Sequence, residues 1–166
     1  MANIFFALGA QTLIQLILVT IVSSKLNAYS AQKMLDLRLF YNALDIKQYF
    51  SELGEAGRQM YFYSALLDLI YPFAYTATFV LLLAYLGKFA FRLSRYFPFV
   101  ILIPFFLFLT DYLENAVVIT LLKTYPDAGL FSHLAGYITL LKYGLLVSTM
   151  IALSITGLLA LKKGMR

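Results

Sequence analysis

The chain has 166 residues, 62% of them hydrophobic and 13% charged, with a mean hydropathy of +0.83. Soluble domains carry roughly 25% charged residues, so a water-facing globular surface is excluded and lipid is the expected solvent. The net charge of +5 comes from basic residues flanking apolar runs, a topology pattern rather than a nucleic-acid surface. With no cysteine there is no disulfide or thiolate chemistry, and a single histidine leaves no imidazole-rich metal site.

A bilayer core takes about 20 apolar residues as helix. Four segments reach that length, at 4–23, 64–86, 97–122 and 132–161. They predict one all-α transmembrane domain over residues 1–166, a four-span helical bundle. The first segment follows Met1-Ala2-Asn3, which has no basic residue, and no A-x-A site follows it. It reads as a retained helix rather than a signal peptide, with Gln11 and Gln15 on one face.

The loop 24–63 comes next. Leu35, Leu37 and Leu39 alternate with Asp36 and Arg38, predicting a short extended stretch. Asp45 stands three before Gln48, a capping-box-like pair. Ile46, Tyr49, Phe50 and Leu53 follow at helical spacing, and Gly54 offers a C-cap. A short amphipathic helix over 46–53 is expected at the membrane surface or across the end of the bundle.

The second span carries Asp68, Tyr71, Pro72 and Tyr75 as one stripe. The third starts near Pro98, bends at Pro104, and carries Asp111, Glu114 and Asn115 at i, i+3, i+4. The fourth places Lys142 on a face with Thr139 and Thr149. Gly144, Ser148 and Ala152 recur every four residues on roughly the opposite face, a small-residue stripe suited to a partner helix or a second copy. Tyr61, Tyr63, Tyr96 and Tyr125 read as an interfacial belt, and His133 as an interfacial or capping residue.

Basic residues orient the bundle. Lys88, Arg92, Arg95, Lys162, Lys163 and Arg166 fall on one side with no acid among them. The other side mixes Lys25, Lys33, Arg38, Lys47, Arg58 and Lys123 with five acids. Both termini are expected to be cytoplasmic, in a cytoplasmic (inner) membrane.

Three acids and one lysine within apolar spans carry the functional expectation. Each charge near a helix centre costs about 2.5–3.5 kcal/mol. From helix rise, Asp68 lies ~6 Å from the outer membrane face, Glu114 ~12 Å with Asp111 a turn deeper, and Lys142 ~15 Å. One polar site in the outer half of the bilayer follows. Its charges do not balance, so a protonated carboxyl, Arg58 reaching in, or a bound cation should complete it. An oxygen-rich set would suit a hard cation, Na⁺, Ca²⁺ or Mg²⁺, over zinc.

The segments Gly54-Glu-Ala-Gly57-Arg58-Gln-Met-Tyr61, Asp68-Leu-Ile-Tyr71-Pro72-Phe-Ala-Tyr75 and Asp111-Tyr-Leu-Glu114-Asn115 resemble a group of small, uncharacterised bacterial four-helix integral membrane proteins. That resemblance spans 35–142. It implies a bacterial inner-membrane protein and marks the same polar residues, without implying an activity. In outline the architecture is also similar to the sterol-isomerase and sigma-2 receptor class, by analogy of fold only.

The leading functional expectation is a pocket open to the outer leaflet that binds a lipid-like or cationic amphipathic ligand, with its transformation at the carboxylates left open. Asp111 and Glu114 form the expected acid–base or cation-binding pair, with Asp68 the second catalytic carboxylate. Lys142, Asn115, Tyr71, Tyr75 and Arg58 hold ligand or neighbours, and the 46–53 helix gates access. A structural subunit of a membrane complex is the alternative, and an ion- or proton-coupled carrier ranks below both.

Overall fold

The computed structural model describes residues 6, 8, 9, 11–13, 23–91, 97–127 and 129–163. The described residues are helical or irregular, with no strand among them. Three helical stretches are long and apolar enough to cross a membrane: Ala43–Ala90, Phe97–Thr124 and Phe131–Lys163. The expected first span, with Gln15, falls mostly outside the described residues.

A short helix, α1 (Ser23–Leu26), leads into a loop that differs from the sequence expectation. Leu35–Leu37 form a 3₁₀ turn, not an extended strand. Leu35 is fully buried beside Tyr41, Ile46 and Tyr61, while Leu37 and Leu39 are exposed. An extended strand would put all three leucines on one face, so this split fits the turn and not a strand. The turn is selected by what Asp36, between them, contacts below.

Helix α2 runs from Ala43 to Asp68. Its capping box lies three residues earlier than expected. Asn42 accepts from the amides of Leu44 and Asp45, and Asp45 accepts from the Asn42 amide at 2.8 Å. Gly54 does not end a separate surface helix. It adopts φ 63° and ψ −173°, a conformation open essentially only to glycine, and joins two helical stretches across a kink. The 46–53 helix exists as the first arm of α2. Its face Ile46, Tyr49, Phe50 and Leu53 is buried against Tyr61, Val118 and Leu121.

The expected second span is interrupted. Leu69 and Ile70 form a turn, and α3 begins at Tyr71 and runs to Ala90 with Pro72 in its first turn. Proline tolerates that position because a first-turn amide has no helical acceptor. Asp68 therefore ends one helix and Tyr71 begins the next, so the stripe through Tyr75 is not that of one rod. The Tyr112 hydroxyl donates to the Leu69 carbonyl at 2.7 Å, satisfying a group the break leaves open.

Helix α4 (Phe97–Thr124) runs through Pro104, and α5 (Phe131–Lys163) is the longest element. At 33 residues, α5 is about 50 Å long, well over the ~30 Å hydrocarbon thickness. Its buried residues include Ala135, Gly136, Thr139, Thr149, Thr156 and Ala160. Gly136 permits the loop to approach, since a Cβ there would fall on the main-chain carbonyl of Tyr41. Gly144 and Ser148 face outward, and a Cβ on Gly144 would meet nothing within 4 Å.

Candidate functional site

Helix α4 supplies the centre of the site. Asp111, Glu114 and Asn115 are 5%, 1% and 3% exposed, on the face their spacing predicts. An ionised group at such a place needs charge or hydrogen-bond partners, and α5 provides them. Lys142 is bonded to Glu114 and lies 3.6 Å from Asp111 Oδ1. The Thr139 hydroxyl is bonded to Glu114 and lies 3.2 Å from the Tyr41 hydroxyl. The Tyr75 hydroxyl donates to Asp111 Oδ2 at 2.8 Å. Two carboxylates, one ammonium and three hydroxyls thus form one connected network between α3, α4, α5 and the loop.

Asp68 meets this network from the end of α2. Asn115 Nδ2 donates to Asp68 Oδ2 at 3.2 Å. Among the described residues Asp68 makes no ion pair; those of the site belong to Lys142.

A fourth acid enters from the loop. Asp36, one of the five acids on the outer side, accepts at its carboxyl from the Tyr61 hydroxyl at 2.9 Å. Its main-chain carbonyl accepts from Tyr143 at 3.1 Å and faces Lys142 Nζ at 3.5 Å. Burial pushes the Asp36 carboxyl above the usual carboxylate range, with the Lys142 charge pulling the other way. Tyr61 was expected at the interface, but it is 1% exposed and holds Asp36 in place. The signal for Asp36 in the sequence is its position between two leucines.

These groups surround a cavity of about 260 Å³. Asp36, Asp68, Asp111, Asn115 and Lys142 line it on one side, and Tyr71, Tyr75, Phe79, Leu107 and Leu146 continue the wall. Most of the expected site residues are therefore brought together. Glu114 is the exception among the carboxyls, because it lies behind Lys142 and is not part of the wall.

Arg58 is placed elsewhere. It donates to the Phe50 carbonyl at 2.8 Å and lies over the Tyr125 ring at 4.4 Å. It braces the Gly54 kink instead of neutralising the cluster. Adding Asp36 and removing Arg58 leaves four carboxyls facing one ammonium, a wider imbalance than the spans alone imply. Among the described residues, no three His, Cys, Asp or Glu side chains are grouped to hold a metal ion.

Comparison with protein-family models, with curated proteins and with solved structures finds no match to this chain.

Proposed function

We propose that this chain is an integral membrane protein whose bundle cavity, opening toward the outer leaflet, binds a cationic amphipathic ligand. One observation supports this reading above others. Asp36 and Asp68 both line a cavity that also has an apolar wall, and neither carboxyl is paired with a cationic side chain among the described residues. Lys142 is engaged with Glu114 and Asp111, so it does not neutralise them. A ligand cation beside Asp68, with its apolar part along Phe79, Leu107 and Leu146, would supply the missing charge and fill the apolar space.

The roles of the acids divide accordingly. Glu114 serves the Lys142 network from behind the wall. Asp68 and Asp36 face the ligand, with Asp111 between the two groups and Asn115 positioning Asp68. If the ligand is transformed, Asp68 and Asp111 are the carboxyls placed to exchange a proton with it.

The test is saturable binding of tritiated dodecylamine to the full-length chain in phosphatidylcholine nanodiscs. Unlabelled dodecylamine should displace it, and dodecyl sulfate at the same concentration should not. Equal displacement by the anion, or no saturable binding, would sink the proposal.

The outward stripe of Gly144 and Ser148, continued by Ala152, favours a second reading as a subunit of a membrane assembly. A stoichiometric partner or second copy retained in mild detergent, and lost on Gly144→Leu, would support it.

A further inference from the structure

The cavity wall has an excess of hydrogen-bond acceptors over free donors. The Tyr61 hydroxyl is given to Asp36, the Tyr75 hydroxyl to Asp111 and the Tyr143 hydroxyl to the Asp36 carbonyl. The Lys142 ammonium is bonded to Glu114, lies 3.5 Å from the Asp36 carbonyl and forms an ion pair with Asp111. The three tyrosine hydroxyls are thus committed to protein acceptors.

The acceptors are not. A carboxylate offers about four acceptor positions. Among the described residues, Asp68 accepts from Asn115 and the Asp36 carboxyl accepts from Tyr61. Asn115 is 3% exposed and lines the cavity, and no described residue donates to its carbonyl oxygen. These oxygens line the cavity, where their open positions can accept from water or from a ligand. A ligand that brings N–H groups satisfies them, whereas one that brings only charge does not.

The aromatic residues point the same way. Quaternary ammonium groups are held by open ring faces. Here Tyr71 packs edge-on to Tyr75 at 5.2 Å, and Tyr75 is packed on Phe79 at 5.7 Å with its hydroxyl fixed on Asp111. The rings are engaged with one another and form no cage.

Resting on the reading of the cavity as a cation site, we infer that its ligand carries an N–H-bearing ammonium, as in a long-chain primary amine, in preference to a quaternary ammonium. The N–H groups are matched to Asp68, Asn115 Oδ1 and Asp36, and the chain lies toward Phe79, Leu107 and Leu146.

The test uses the same nanodisc-embedded chain, with tritiated dodecylamine displaced by unlabelled dodecylamine, N-methyldodecylamine, N,N-dimethyldodecylamine and dodecyltrimethylammonium. Potency should fall along that series, with the quaternary compound at least ~10-fold weaker than the primary amine, the scale of a lost charge-assisted hydrogen bond. Asn115→Leu should narrow that ratio without abolishing displacement. Equal potency across the series would overturn the inference and leave the cation-binding reading standing. Absence of saturable amine binding would overturn both.

Discussion

The Tyr143 hydroxyl donates to the main-chain carbonyl of Asp36 at 3.1 Å, joining α5 to a loop residue more than a hundred positions earlier. Tyr61 holds the carboxyl of the same aspartate from α2. The loop is therefore part of the cavity wall, and its attachment can be tested separately from the transmembrane helices.

Burial raises the Asp36 carboxyl above its ordinary value of 3.8, and the nearby Asp111 charge adds to this while Lys142 and Tyr61 oppose it. The docked loop binds the Asp36 proton more tightly than an undocked loop does. Its docking stability is full below the ordinary value and is lost as pH rises through the raised one. Spin labels on Leu39→Cys and Leu134→Cys, in a chain with no native cysteine, should report wider separations at higher pH. Asp36→Asn should flatten that dependence.

Lys142→Met should destabilise the folded chain by about 3–5 kcal/mol, because Glu114 and Asp111 lose their buried counter-charge. Unfolding in mixed detergent micelles measures the effect. The double variant Lys142→Met with Glu114→Gln should cost less than the sum of the two single changes. Additive losses would mean that the two residues do not act as a pair.

Gly136→Ala should cost about 1–3 kcal/mol, since the new methyl group falls on the Tyr41 carbonyl, a main-chain atom that must be displaced. The same spin-label pair should show the loop lifted from α5. Gly144→Ala, where a Cβ meets nothing within 4 Å, is the matched control and should cost nothing, with a gain of up to about 1 kcal/mol from helix propensity.

Gly54→Ala should destabilise by about 1–3 kcal/mol, because φ 63° with ψ −173° is denied to a residue with a Cβ. The Arg58 bond to the Phe50 carbonyl spans this kink, so Arg58→Ala should loosen the first arm of α2. Proteolysis within 46–53 should accelerate in both variants. Dodecylamine affinity should change less than in Asp68→Asn.

Sequence periodicity located α4 and α5 to within two residues at each end, because long apolar runs have few competing readings. It also put Asp111, Glu114 and Asn115 on the correct face, since a 3.6-residue repeat fixes neighbours along a helix. It did not find the break at Leu69–Ile70, although Pro72 is the residue that would permit one. It gave Asp36 no part in the site, because alternation with leucines says nothing of partners on other helices. Burial of Asp36 depends on Tyr61, Lys142 and Tyr143, which are distant in sequence. Arg58 was drawn into the site by charge balance alone, whereas a carbonyl and an aromatic ring lay closer.

The dependence of Asp36 on residues 142 and 143 also sets an order of assembly. During synthesis the loop is made long before α5, so its polar groups cannot find their final partners until α5 has entered the bilayer. The cavity is therefore completed only once α5 is in place, and a chain truncated before Lys142 would leave the Asp36 carbonyl, Asp111 and Glu114 without their partners on α5. Such fragments expose uncompensated polar groups within the membrane, the feature by which quality control could distinguish an unfinished bundle from a closed one.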